Sequence, residues 1–238
     1  MSSNDRNCRR TIIMGHHQKV GGVSMSIGRM EIRNGSIIDG FNGTRGDGNV
    51  VRSARELPLF SHVVLTSAID IEVTFGDSLI AEIEADANLH DLVETIIEFD
   101  ALKVGIKGSL TTENALVLRL QLPCPLAGVH VTGSGCANLH GLSQDLINLY
   151  IQGSGDIRAA GVVRRVHGLV QGSGDLKLKK LQAAEADLTV QGSGDITAAV
   201  SSSVTATVQG SGDITIHGNP QARRTHVAGS GDIDFEED

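Results

Sequence analysis

The chain has 238 residues and a formal net charge of −8, with 20 Lys and Arg against 28 Asp and Glu. An acidic chain with 3% aromatic residues and no Trp is a poor match for nucleic acid, because duplex binding rests on Lys and Arg at phosphates and single strands need stacking platforms. A hydrophobic content of 40% places it among globular proteins, while 29 Gly and few aromatics point to thin repeated layers of small aliphatic side chains.

Residues 1–45 read as a Gly-rich extension. The start, "MSSNDRNCRRTIIMGHHQKVGG", has an apolar stretch of only Ile12-Ile13-Met14, shorter than the core of a secretion signal. On that ground the chain is expected to stay in the cytoplasm, with its first twenty residues mobile. His16-His17 is an isolated pair expected at the surface rather than on a metal. "MEIRNGSIID" (30–39) carries Asn34-Gly35 between apolar runs, a hairpin signal. Asn42-Gly43-Thr44 matches a glycosylation acceptor, which has meaning only on an exported chain. Arg45-Gly46-Asp47 spells an integrin-binding tripeptide, read as chance in so Gly-rich a chain. No run of about 18 apolar residues occurs, so no membrane-spanning helix is expected.

Residues 46–238 read as one β-helix domain, with irregular coils over 46–122 and regular ones over 123–238. "AIDIEVTF" (68–75) alternates, putting Ile69, Ile71, Val73 and Phe75 on one face. Gly76-Asp77 reads as its turn and "SLIAEIEA" as its partner strand. "LVETIIEFDALKVGI" (92–106) reads as a hairpin around Asp100, and "ALVLRLQL" (115–122) lines up Leu116, Leu118, Leu120 and Leu122. These strands are expected to form larger first coils and to cover the open end of a solenoid, whose apolar residues and strand edges need a cover.

From residue 133 the chain repeats. Gly-Ser-Gly begins at Gly133, Gly153, Gly172, Gly192, Gly210 and Gly229, at steps of 18 to 20 residues, the period of a solenoid. Two residues before each triplet stands Val131, Ile151, Val170, Val190, Val208 or Val227. Two after it stands Ala137, Ile157, Leu176, Ile196, Ile214 or Ile233. Each coil reads as two or three short strands and turns, with no room for a helix. The fold class is therefore all-β, a parallel β-helix of about 19 residues per coil, right-handed by the usual crossover preference. Both glycines of each triplet (Gly133 and Gly135, Gly153 and Gly155, Gly172 and Gly174, Gly192 and Gly194, Gly210 and Gly212, Gly229 and Gly231) are read as a structural turn ladder. A Cβ there would clash with the turn above or resist positive φ.

Asp156, Asp175, Asp195, Asp213 and Asp232 follow the triplets, with Cys136 at the first. Stacking would bring neighbouring carboxylates to about 5 Å. Their repulsion is then about 0.8 kcal/mol per pair in water and about 3 kcal/mol at an effective dielectric of 20. The favoured reading is that each carboxylate accepts backbone N–H bonds in its own turn. The alternative is calcium shared along the column. Known calcium repeats place Gly-Gly-x-Gly-x-Asp at a nine-residue period, unlike this one. No cofactor is expected. Cys8, Cys124 and Cys136 are odd in number and lack metal-like spacing; reduced thiols are the default and a Cys124–Cys136 bridge the alternative.

The stretch "GDGNVVRSARELPLFSHVVLTSAIDIEVTFGDSLIAEIEADANLHDLVETIIEFDALKV", followed by repeated Gly-Ser-Gly-Asp, resembles the putative auto-transporter adhesin head GIN-domain family over roughly residues 46–235. Arg55, Leu57 and Phe60, the "DIEVTFGD" strand and turn, "EADANL" and the Gly-Ser-Gly-Asp ladder carry the likeness. The resemblance implies a right-handed parallel β-helix, a bacterial origin and a cell-envelope setting, and it brings no enzymatic activity or site residues. Phosphate-loop, nucleophile-elbow, zinc-protease and Cys-x-x-Cys motifs are missing from the sequence. His130 and His226 share a coil position, but Tyr150, Leu169, Thr189 and Thr207 fall between them, so no His ladder is expected. The leading expectation is a non-enzymatic scaffold whose flat faces contact a protein, a glycan or another copy of itself. The alternatives are a carbohydrate-binding or calcium-dependent polysaccharide-acting protein using the Asp column, and a polymer of stacked solenoids.

Overall fold

The computed structural model describes residues 42–237 and, upstream, the backbone of short strand segments between Ile12 and Ile38. Glu31–Arg33 there pairs antiparallel with Ser36–Ile38. The Asn34-Gly35 turn, the side chains of His16-His17 and the expected mobility of the first twenty residues fall outside the described residues.

The regular half is built from long strands. Ala137–Ile151, Ile157–Val170, Leu176–Val190 and Ile196–Val208 each fill most of one coil as a strand of 13 to 15 residues. All pair in parallel with their neighbours. Ala137 lies opposite Ile157, Ile157 opposite Leu176, Leu176 opposite Ile196, Ile196 opposite Ile214, and Ile214 opposite Ile233. A second column runs Val131, Ile151, Val170, Val190, Val208, Val227. The inward members of both columns are buried down to the last coil, where Val227 and Ile233 emerge. Each buried Ile, Leu or Val stabilises the fold by about 1.5–3 kcal/mol, and like side chains stack without mismatch.

The coils are less interrupted than their sequence suggests. Instead of two or three short strands, each of these four coils is one continuous bent strand broken only at Gly-Ser-Gly, while the coil after Gly212 keeps two short strands, Ile214–His217 and Ala222–Val227. Register shifts between Leu139 and Leu142, and between Arg158 and Ala160, mark a second corner inside the strands. There the ladder skips His140 and Gly141 in the first pairing and Ala159 in the second, as at a β-bulge, while the backbone bends. Gly161 serves this corner: its φ is 138°, and a Cβ would lie 2.1 Å from the Leu142 carbonyl oxygen.

The irregular half continues both columns out of sequence order. His62–Leu65 pairs in parallel with Gly128–Val131, and Asp70–Phe75 with Ala137–Leu139, so residues 62–75 form the coil above the first Gly-Ser-Gly. Beyond it, Ala101–Ile106 stacks on His62–Leu65 and turns back as an antiparallel hairpin with Val93–Glu98, the hairpin read around Asp100. The expected pairing of "AIDIEVTF" with "SLIAEIEA" does not occur. Val117–Leu122 lies between them, parallel to Asp70–Phe75 and antiparallel to Ile80–Asp86. Its Leu118, Leu120 and Leu122 extend the core, which a tight hairpin at Gly76-Asp77 would have left open. Ile80–Asp86 pairs on its other side with Val50–Ala54. Among the described residues no helix is long and apolar enough to cross a membrane.

The last coil ends the stack with a charge. Arg223 pairs with the buried Val204 position, yet its guanidinium lies 4.3 Å over the Phe235 ring and donates to the Pro220 carbonyl at 2.9 Å. A charge at a core-column position blunts an edge that another solenoid could extend.

Candidate functional site

The Gly-Ser-Gly turns stack in one column. The backbone N–H groups of Ser154, Ser173, Ser193, Ser211 and Ser230 donate to the first-glycine carbonyl one coil earlier, at 2.9–3.2 Å. This close approach is why glycine is needed. A Cβ on Gly153, Gly172, Gly192, Gly210 or Gly229 would lie 1.9–2.1 Å from a backbone oxygen of the coil before, and so would one on Gly155, Gly174, Gly194, Gly212 or Gly231. None of these glycines has positive φ, so the second reason offered from sequence falls away. Gly133 and Gly135 face Ser67 and Ile69 in the same manner.

That alignment exposes a coil that lacks the Gly-Ser-Gly signature. Leu65-Thr66-Ser67-Ala68-Ile69-Asp70-Ile71 occupies the place of Val131-Thr132-Gly133-Ser134-Gly135-Cys136-Ala137. Each glycine makes room for the coil before it. Thr66 pairs upstream with the Ala101–Ile106 strand, but no Gly-Ser-Gly-type turn precedes this one. Ser67 and Ile69 can therefore stand where later coils demand glycine, and only the final Asp keeps the motif legible.

The Asp column therefore begins at Asp70. Each carboxylate Oδ1 accepts the backbone N–H of the corresponding residue one coil on: Asp70 from Cys136 at 2.8 Å, Asp156 from Asp175 at 3.0 Å, Asp175 from Asp195 at 3.2 Å, Asp195 from Asp213 at 2.8 Å, and Asp213 from Asp232 at 2.8 Å. The bonds run between coils, not within the turn as expected. In a parallel stack the nearest free N–H is the one in the next coil along the chain, since the turn's own donors already bond along the column. Two cations relieve the repulsion at the upper end. Asp156 Oδ2 accepts from Arg158 at 3.0 Å and from Lys177 at 3.1 Å, and Lys177 also reaches Asp175 at 3.0 Å. Asp195, Asp213 and Asp232 are exposed, where water screens them. Burial pushes the Asp70 carboxyl above its usual range, against the opposing pull of the Cys136 N–H and Arg158. Among the described residues no group of three or more His, Cys, Asp or Glu gathers around a common point.

A second polar column was not recognised in the sequence. Gln152, Gln171, Gln191 and Gln209 each precede a Gly-Ser-Gly, and their amides chain from Nε2 to Oε1 at 2.9, 2.7 and 3.2 Å. His130 joins the head of the chain, Nε2 to the Gln152 Oε1 at 3.0 Å. The repeated Gln in "VQGSGD" was the available signal.

The remaining candidates settle into the scaffold. The column Val64, His130, Tyr150, Leu169, Thr189, Thr207, His226 is as interleaved as its sequence implies. Arg45-Gly46-Asp47 is not a free loop. Its Arg45 carbonyl accepts from Asn88, its Asp47 N–H donates to Asn88, and a Cβ on Gly46 would strike Asp86. The Cys124 thiol is free, which removes the Cys124–Cys136 bridge, and Cys136 is itself disulfide-bonded, so the reading of reduced thiols throughout does not hold. Arg55 donates to the His90 carbonyl at 2.8 Å, Phe60 is buried, and Leu57 packs against the core. These three residues fasten the irregular half together.

A family model described as "Putative auto-transporter adhesin, head GIN domain" matches residues 59–220. The chain belongs to this family. No curated protein matches the GIN-domain chain in sequence. Among solved structures it is similar to a putative adhesin from Bacteroides fragilis, with a TM-score of 0.67 at 19% identity, covering 82% of this chain and 100% of that one. A putative adhesin from Parabacteroides distasonis gives a TM-score of 0.53 at 19% identity. A protein from the same organism, named a putative lipid binding protein, gives 0.52 at 21%. Both are covered in full against 82% of this chain. At such identities the likeness is one of fold. The GIN-domain protein is a β-helical member of a bacterial family described as adhesin-like.

Proposed function

We propose that this GIN-domain protein works by contact rather than chemistry, binding a protein or glycan surface with the outward faces of its coils. The observation that carries this reading is the fixed register of the outward columns. On one face Asn148, His167, Asp187, Thr205 and Arg224 follow one another coil by coil, beside Tyr150, Leu169, Thr189, Thr207 and His226. Such columns repeat at about 4.8 Å on a backbone that has little freedom left to lose, so docking costs little ordering entropy. The polar atoms at the turns serve the stack: the Asp Oδ1 atoms and the Gln amides bond from coil to coil.

Glycan and surface-protein arrays probed with the full chain test this reading. Binding weakened by Thr189→Lys and Thr207→Lys together, with the melting temperature unchanged, supports it; binding indifferent to face substitutions, or none at all, removes it. In the same reading the Asp column is structural. Calcium calorimetry that gave affinity tighter than about millimolar would replace that part with a cation site.

A further inference from the structure

Phe99 and Asp100 form the tip of the Val93–Glu98/Ala101–Ile106 hairpin, with φ of 48° and 68°. Two-residue hairpin turns of type I′ ask for positive φ at both positions and usually take Asn-Gly. A bulky Phe in that region is an outlier. The neighbouring loop fixes the turn. The Asp100 carbonyl accepts the N–H groups of Ser61 and His62 at 3.1 and 3.2 Å, and its Oδ2 accepts the Ser61 hydroxyl at 2.5 Å. The Phe99 side chain is fully exposed, with a relative accessibility of 102%. One residue thus combines an unfavourable backbone, fixed by the bonds to Asp100, with an unburied aromatic ring.

A groove of about 360 Å³ opens two residues away. Ala101, His62, Gly128 and Asn148 lie side by side across four strands. The methyl of Ala101 and the bare backbone of Gly128 leave the depression, with His130 and Tyr150 along its border. Those two rings already meet edge to face, 6.1 Å between centroids. Among the described residues no Asp, Glu, Lys or Arg lines it.

We propose that Phe99 of one copy seats in this groove of a second copy, giving a two-fold dimer with two such contacts. Knob and groove belong to one patch, as a self-complementary contact requires. A groove bordered by aromatic edges suits an aromatic ring. Glu98 and Asp100 flank Phe99, so an anionic bilayer is disfavoured, and Glu98 is already paired with Lys103 at 2.8 Å.

Sedimentation equilibrium of the full chain, from low to high concentration, should show the mass rising from one copy to two. Phe99→Asn removes the knob and suits the positive φ. It should weaken the dimer roughly tenfold or more without lowering the melting temperature. Ala101→Gln fills the groove and should weaken it similarly. An equal mixture of the two variants keeps one intact contact and should associate more tightly than either alone. A monomer at every concentration overturns the proposal, as does a dimer that Phe99→Asn leaves unchanged. A monomer whose Phe99 instead drives co-sedimentation with neutral phosphatidylcholine vesicles overturns it in favour of a membrane contact.

Discussion

The coils below Gly128 and the strands above it solve one packing problem in two ways. Below, each coil repeats the last, and its backbone comes so near its neighbour that only glycine fits the turn. Above, strands from distant parts of the chain are slotted into the same two columns, as Ala101–Ile106 on His62–Leu65 and Val117–Leu122 on Asp70–Phe75. The core is equally buried in both: Val63, Leu65, Ile71 and Val73 are as inaccessible as Val190, Ile196 and Val208. Repetition is thus not what makes the core. It is what makes the turn column, where constraint passes from backbone to backbone.

Glycine substitutions should separate the regions most sharply. In Gly194→Val the added carbon would lie 2.0 Å from the Gly174 carbonyl oxygen, and neither backbone can yield. A loss of about 3 kcal/mol or more is expected in denaturant unfolding. At Gly76, in the irregular half, an added Cβ meets only the Gln121 side chain, at 2.8 Å. Gly76→Ala should cost under about 0.5 kcal/mol, and equal losses would erase the distinction.

The carboxylate column comes next. Asp213→Ala strips the acceptor from the Asp232 N–H and should cost about 1 kcal/mol, whereas Asp213→Asn keeps an oxygen there and should cost little. If Asn proved as damaging as Ala, charge rather than the cross-coil bond would be the important property.

Asp70 joins the two regions and should behave differently. Its pKa is raised in the folded state by burial, so the native chain binds its proton more tightly than the unfolded chain does. Stability from this group therefore declines as pH rises from the ordinary carboxylate range through the raised value. Melting temperature measured against pH should show that decline in the parent and a flatter profile in Asp70→Asn. Parallel profiles would mean that burial at this residue does not control its proton.

The smallest effects are expected at exposed column positions. Ser193→Ala leaves the backbone N–H that bonds to Gly172, and Gln191→Ala opens one exposed amide chain. Each should stay within about 0.5 kcal/mol of the parent. A larger loss for Gln191→Ala would show the amide chain to be cooperative.

Much of this was legible in the chain. The Gly-Ser-Gly period gives the coil length, and alternation around it names the two core columns residue by residue. The hairpin at Asp100 followed from apolar runs on either side of it. Three things were not legible. "SLIAEIEA" lies next in the chain to "AIDIEVTF", but Val117–Leu122 separates them, because adjacency in sequence is only a prior for adjacency in a sheet. Leu65–Ile71 hides a coil, because the steric demand that imposes glycine is missing where no such turn precedes it. Phe99 at positive φ runs against local preference, and only the bonds from Ser61 and His62 hold it there.

The sequence by itself determined the period, the class of fold and the identity of the inward side chains, because those depend on local alternation and on where glycine recurs. Only the tertiary structure decided which strands lie next to which in the irregular half, that the carboxylates bond to the next coil and not to their own, and where the surface leaves a ring exposed beside a groove. These depend on distances between residues far apart in the chain, and close approach in space leaves a mark on sequence only where it forbids a side chain.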